Sequence, residues 1–298
     1  MSSRLLERIT GSNAARHLLR RFFDEGRMKK ALDVLAGERR ATSLSCYMAS
    51  GALRILTMIG STAFGVSDSL IRENLSNSIF RRAFSSVVKG LTSFGMTRPF
   101  VPGAPFQIVW NVTRACNLKC QHCYENAGKR EPDELTTEEA IACIDKLVNA
   151  GVVLLAFSGG EPTLREDILE LIRRSSMKGM YVAIATNGLT FSNRKRVQEF
   201  KRAGLSFVQI SLDGCNPETH DAFRGVPGAF ARTLQGIRNC VDEGLFVEVA
   251  MTATKNNIAQ VEDTIDIASN IGAQWFMLYN FVPTGRGKEI IECDLSPD

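Results

Sequence analysis

The sequence predicts an α/β chain: an open six-stranded (β/α)6 partial TIM barrel preceded by an all-helical N-terminal domain. Three observations predict it. Beyond residue 105, short β-branched and aromatic runs alternate with segments of helical periodicity, the rhythm of parallel strands joined by right-handed crossovers. Before residue 99 such strand-like runs are scarce and apolar residues recur at helical spacing. Charge divides in the same way: residues 1–100 hold 16 Lys+Arg against 7 Asp+Glu, net +9, whereas the remainder carries −5.

In chain order, helices are expected over Leu5–Phe23, Arg27–Ala36 and Leu70–Leu91. The run Ala49–Val66 is apolar with one charge, Arg54, and is broken by Gly51, Gly60 and Gly65. It is too short and too interrupted for a membrane span. A buried helix or a membrane-surface helix with basic flanks are the two readings. Pro99, Pro102, Gly103 and Pro105 mark a linker over 99–105. Domains are therefore expected at 1–98 and 106–298. Six strands follow: Phe106–Val112, Val152–Phe157, Met180–Ala185, Ser206–Ser211, Phe246–Thr252 and Gln274–Phe281. Helices between them are expected over Thr136–Ala150, Asp167–Lys178, Ser192–Ala203, Phe230–Glu243 and Asn257–Ile271. Ser192 reads as an N-cap, and Gly151, Gly179, Gly204, Gly244 and Gly272 as C-caps. Six strands are too few to close an eight-stranded barrel. Their C-terminal ends gather at one mouth, where such folds place ligands.

The chain has 298 residues, of which 44% are hydrophobic and 23% charged, so its core needs no disulfides. No secretory signal opens it, and of its eight cysteines five are scattered. A reducing, cytoplasmic setting is expected, with membrane association an option for the basic N-terminal part. That part is read as a docking module for a membrane surface or a protein. Aromatic–basic nucleic-acid motifs are lacking, so nucleic acid ranks last among partners.

The other three cysteines, Cys116, Cys120 and Cys123, form a C-x3-C-x2-C loop just after the first strand. Thiolates are soft ligands suited to iron–sulfur clusters and to zinc. Structural zinc sites usually pair two ligands with two more from a separate segment, and no second pair lies nearby. His122 could be a fourth ligand to zinc, but it adjoins Cys123, and neighbouring side chains seldom point the same way. Three thiolates on a cubane would leave one iron open for chemistry.

With the cysteine loop come four strand-end turns: Ser158-Gly159-Gly160-Glu161-Pro162, Thr186-Asn187-Gly188, Ser211-Leu212-Asp213-Gly214 and Val282-Pro283-Thr284-Gly285-Arg286-Gly287. In this order, residues 104–298 resemble the radical S-adenosylmethionine (SAM) enzymes. The resemblance implies a 4Fe–4S cluster on Cys116, Cys120 and Cys123. The open iron would be chelated by SAM, and one-electron reduction would yield a 5′-deoxyadenosyl radical that takes a hydrogen atom from substrate. It implies SAM contacts at His122 (through its backbone), Gly159, Gly160, Glu161, Thr186, Asn187, Ser211, Asp213 and Arg224, with Arg232 a second candidate for the SAM carboxylate. Gly159 and Gly160 would let backbone approach the ligand, and Glu161 would accept from the SAM ammonium. His220 is read as a proton carrier or as a loop-orienting group.

The stretch Val109-Trp110-Asn111-Val112-Thr113-Arg114 is most similar to the SPASM-type subgroup, which includes haem-biosynthesis enzymes, the pyrroloquinoline quinone maturase and peptide maturases. Val109 and Ala156 stand where a GTP-binding relative has arginines, which argues against GTP. The subgroup's extra cysteines lie beyond the barrel, and Cys293 alone builds no second cluster. Asp294–Asp298 reads as the start of another helix, so the barrel domain is expected to continue past residue 298. The implied partners are a reductase or a flavodoxin or ferredoxin as electron donor, and a peptide, tetrapyrrole or lipid-like substrate. The rival reading is a non-catalytic iron–sulfur and SAM-binding module.

Overall fold

The structure is a computed structural model that describes residues 7, 10–23, 25–38, 40–41, 43–64 and 67–296. The expected helix start at Leu5, the Gly65–Val66 end of the apolar run and Pro297–Asp298 lie outside these residues. Two compact units emerge: 1–107 with 147–153, and 108–146 with 154–298.

The first unit contains helices α1 (Asn13–Phe22), α2 (Glu25–Leu35), α3 (Leu44–Phe64), α4 (Asp68–Asn74) and α5 (Ser78–Phe94). The apolar periodicity of Leu70–Leu91 belongs to two helices rather than one. Asn77 caps α5, its side chain accepting from Ile79 N at 2.8 Å, which restarts the helix after a break at 75–77. The core joins Phe23, Met28, Leu32, Leu53, Leu75 and Val88. The Pro/Gly-rich stretch 99–105 lies against α5: Gly103 N donates to Ser86 O at 2.8 Å. A Cβ on Gly90 would stand 2.3 Å from Val101 O, so glycine is what lets the two segments touch. On α3, Cys46, Ala49, Ser50, Leu53 and Thr57 are buried, whereas Leu44 (77% exposed), Tyr47 (69%), Met48 (53%) and Ile55 (59%) face solvent. Among the described residues no helix is long and apolar enough to cross a membrane.

The second unit is built on β1 (Gln107–Thr113, all but its first residue), α6 (Thr137–Ala150, as far as Lys146), β2 (Leu154–Gly159), α7 (Ile168–Met177), β3 (Tyr181–Thr186), α8 (Arg194–Ala203), β4 (Phe207–Ser211), α9 (Pro217–Arg224), α10 (Ala229–Asp242), β5 (Phe246–Ala253), α11 (Val261–Ile271) and β6 (Trp275–Asn280). The strands form one six-stranded sheet in chain order, open between β1 and β6. The pairings from β2 through β6 are parallel. This is the open partial barrel that the strand–helix rhythm predicts.

Strand side chains alternate between two faces. Val208, Ile210, Val247, Val249 and Met251 are 0% exposed on the face that α10 covers. Ala183, Ala185, Gln209 and Glu248 look the other way, into the lumen. Gly151, Gly179, Gly204, Gly244 and Gly272 all adopt positive φ, as C-capping glycines do. Ser192 does not cap α8; Asn193 does, accepting from Lys195 N at 3.0 Å, while the Ser192 hydroxyl donates to Leu189 O. The carboxamide of Asn193 sits one residue nearer the free amides. Helix α9 is an element the periodicity misses. Asn216 caps it, accepting from Thr219 N, and Pro217 occupies its first turn.

Candidate functional site

The cysteine loop, Gly159, Thr186 and Ser211 all follow or end parallel strands, so the topology brings them to one edge of the sheet. Three segments grip the loop. At the end of β2, Gly160 N donates to Thr113 O (2.7 Å) and Glu161 N to Ala115 O (2.8 Å). A Cβ on Gly159 would lie 2.3 Å from Thr113 O, and one on Gly160 2.3 Å from Ala115 O. Glycine is required here because strand-end backbone runs against the loop. At the end of α9, Lys119 N donates to Arg224 O (3.1 Å) and Gln121 N to Phe223 O (3.0 Å). After β6, Arg286 N donates to Cys123 O (3.0 Å), its Nε to Cys120 O (2.9 Å) and its Nη1 to Ala127 O (2.7 Å).

Each sulfur receives one N–H donor. Leu118 N lies 3.4 Å from Cys116 Sγ, Arg224 Nη1 3.6 Å from Cys120 Sγ, and Ala127 N 3.5 Å from Cys123 Sγ. Such donors stabilise thiolates, and hydrogen bonds to sulfur tune iron–sulfur clusters. Leu118, Leu189, Ala229 and Val226 form an apolar shell around the thiols. Burial pushes the free Cys116 thiol up to about 11, so ligation there must displace a proton. Among the described residues no three His, Cys, Asp or Glu side chains converge to hold a single ion. A cubane, which takes one thiolate per iron, asks for wider spacing than a single ion does. The donor set fits a cluster of that kind.

Glu161 is 0% exposed and its carboxylate is spoken for inside the fold. Oε1 accepts from Thr163 N (3.1 Å), Thr163 Oγ1 (2.6 Å) and Thr186 Oγ1 (2.8 Å), and Oε2 from Asn187 N (2.8 Å). Burial holds its pKa above the usual carboxylate range, although these four bonds oppose the rise. Its side chain ties the end of β2 to the end of β3. Asn187 reaches on to the cysteine loop, its Nδ2 donating to Asn117 Oδ1 at 2.7 Å.

Asp213 is likewise 0% exposed. Oδ2 accepts from Arg224 Nε at 2.5 Å and from Nη2, while Oδ1 accepts from Thr252 N at 2.9 Å. Burial alone would push this carboxyl up, but Arg224, His122 and His220 beside it hold it below its usual range. Burial also works against the Arg224 charge, yet Asp213 and Cys120 keep the guanidinium more firmly protonated than usual. Arg224, expected to bind the SAM carboxylate, bridges the buried Asp213 and the Cys120 sulfur. Arg232 donates to Leu189 O at 3.5 Å.

His122 stacks on Phe223 with centroids 4.1 Å apart. His220 Nδ1 accepts from Asp213 N at 3.1 Å, which leaves the proton on Nε2, buried with no partner among the described residues. Burial and then Arg224 lower both histidines to about 4, so both stay neutral at pH 7. Ser211 ends β4 in register with Ala250, half-buried on the lumen face.

Sequence reasoning overlooked several groups that position the site. Arg286 was visible only as part of a turn. Glu134 accepts from Thr113 Oγ1 (3.0 Å) and Arg114 N (2.8 Å), fixing the start of the loop. Asn257 Nδ2 donates to Asp213 O (3.1 Å) and Thr252 O (2.9 Å). Nothing local in the sequence marks Glu134 or Asn257, whose contacts to Thr113, Arg114 and Asp213 span 20 to 44 positions.

A match to the Radical SAM superfamily spans residues 110–268, more than half of the chain. The Fe-coproporphyrin III synthase of Methanosarcina barkeri is 43% identical over 190 residues, covering 63% of this chain and 47% of the relative. The mycofactocin maturase MftC of Mycobacterium ulcerans is 34% identical over 190 residues, covering 63% of this chain and 51% of the relative. Streptococcus suis SuiB bound to precursor peptide SuiA superposes with a TM-score of 0.57 at 17% identity, covering 80% of this chain and 54% of that one. At that identity the likeness establishes the fold. The chain spans about half the length of the curated relatives it matches. From the barrel, the three-cysteine loop at its mouth and these matches together, the chain belongs to the Radical SAM superfamily.

Proposed function

We propose that the chain is a SAM-cleaving enzyme that binds a 4Fe–4S cluster through Cys116, Cys120 and Cys123 and acts on a peptide or tetrapyrrole. One observation carries this reading: each of the three sulfurs takes an N–H donor inside a loop gripped by three segments of the barrel unit. When bound, cluster and SAM supply a hydrogen-abstracting 5′-deoxyadenosyl radical. The chain's own residues supply position. Gly159 and Gly160 bring the β2 turn onto the loop, and Glu161 and Thr186 lock that turn to β3. Asn187 and Ser211 are the polar groups we assign to SAM, with the His122 backbone beside them. Asp213 and Arg224 set the charge around Cys120. A reductase, flavodoxin or ferredoxin is assigned as the electron donor. The relatives' names support the tetrapyrrole and peptide options; the lipid-like option has no such support. Anaerobic reconstitution with iron and sulfide, then dithionite and SAM, tests the reading. Release of 5′-deoxyadenosine supports turnover, and SAM binding without release identifies a non-catalytic module.

For the helical unit we propose docking on an anionic membrane surface. Leu44, Tyr47, Met48, Gly51 and Ile55 recur on one exposed face of α3, a helix without acidic residues in a segment of net charge +9. An apolar stripe with basic surroundings is the pattern of an interfacial helix. Flotation of the full chain with phosphatidylserine-containing vesicles, and its absence with neutral ones, checks this.

A further inference from the structure

The lumen holds a carboxylate that the SAM site does not use. Glu248 is the third residue of the eight-residue β5, in register with Gln209 on β4 and with Trp275, the first residue of β6. Its neighbours Val247 and Val249 face the helices, so Glu248 faces the lumen, where it is 4% exposed. Gln209 Nε2 donates to Glu248 Oε1 and stands 3.0 Å from Tyr279 Oη. Among the described residues no cation pairs with Glu248, and no donor reaches its Oε2.

Aromatic rings surround this acid. Phe207 stacks on Phe246 with centroids 5.4 Å apart, and Trp275 meets Phe246 edge-on at 5.2 Å. Trp275 is 56% exposed and Tyr279 45%. Toward β3, the residue in register with Gln209 is Ala185, and the one in register with Phe207 is Ala183. The side chains toward β3 are therefore small, and aromatic surface lies toward β6.

We propose that this layer is the subsite for a cationic nitrogen of the substrate, an ammonium or guanidinium group. The proposal rests on the SAM-enzyme reading and names the substrate chemistry of the same lumen. Among the described residues Glu248 has only the neutral Gln209 amide as its hydrogen-bond partner, and an incoming cation would add a charge-assisted contact. Indole and phenol faces attract the same cation. A polycarboxylate ligand would meet like charge at Glu248, and a neutral one would leave the acid unpaired. Of a peptide, a tetrapyrrole and a lipid-like substrate, a peptide bearing Lys, Arg or a free amino terminus fits this layer.

The test is calorimetric titration of the reconstituted full chain with three probes of one shape: n-butylammonium, n-butanol and n-butyrate. The cation should bind at least about tenfold more tightly than the other two, as expected for a charge-assisted contact backed by aromatic faces. Glu248→Gln should abolish that preference, and Trp275→Leu, a change on an edge strand, should reduce it. Both variants should keep SAM binding and reductive release of 5′-deoxyadenosine, which also shows that they fold. Failure of n-butylammonium to outbind n-butyrate, or its unchanged binding to the Glu248→Gln variant, overturns the proposal. Cation preference without SAM cleavage would leave the subsite standing and remove the enzyme reading; cleavage without cation preference would do the reverse.

Discussion

The two units bury their apolar residues in different ways, and the contrast separates chemistry from attachment. In the barrel unit, the residues of β2–β5 that alternate with the lumen positions are covered by helices, and polar groups concentrate at the strand ends. Its buried charges are paired or hydrogen-bonded: Asp213 with Arg224, and Glu161 with Thr163, Thr186 and Asn187. The helical unit presents apolar residues on both faces of α3, one face in the core and one in solvent. An apolar surface left open on a basic unit is what the proposed membrane docking would use. A polar network buried at a barrel mouth is a place to do chemistry.

Four changes break or sharpen this contrast, from the largest effect to the smallest. Replacing any one of Cys116, Cys120 or Cys123 by Ala should remove the bound cluster and all SAM cleavage, read as iron and sulfide content and 5′-deoxyadenosine yield. The helical unit's vesicle binding should be untouched. Next, Asp213→Asn strands the Arg224 charge in the interior and should cost about 3–5 kcal/mol, measured by urea denaturation of the metal-free protein. The double variant Asp213→Leu, Arg224→Met should cost less than the two single changes added together, because it removes both charges.

Gly160→Ala pushes a methyl into Ala115 O and should cost about 1–3 kcal/mol. Because that contact lies on the cysteine loop, reconstituted iron per chain should fall as well. The smallest effect on folding belongs to the exposed stripe. Tyr47→Ser with Ile55→Ser should change stability by no more than about 0.5 kcal/mol, yet abolish flotation with anionic vesicles. If the pair destabilises the protein as a core substitution would, the stripe is covered in solution and the contrast fails.

Much of the barrel was legible in the sequence because strand burial is periodic. The runs around Val152–Phe157, Met180–Ala185 and Phe246–Thr252 each matched a strand within one or two residues at either end. Helix α9 escaped because its eight residues are too few for periodicity to register, although Asn216 and Pro217 announce its start. The break before α5 escaped for the opposite reason, since apolar spacing continues across it. Site residues were legible as types and not as roles. Glu161 and Arg224 were expected to touch SAM; within the fold they also hold Thr186 and Asn187, and Asp213 and Cys120. Those pairings join residues 11 to 104 positions apart, which no local pattern encodes. Glu248 did leave a trace: a single acid within the apolar run Phe246–Thr252.

The most direct test of the account is the yield of 5′-deoxyadenosine from the anaerobically reconstituted chain given dithionite and SAM, with the Cys116→Ala variant alongside. The account predicts release by the native chain and none by the variant. A native chain loaded with cluster and SAM that releases no 5′-deoxyadenosine would contradict it.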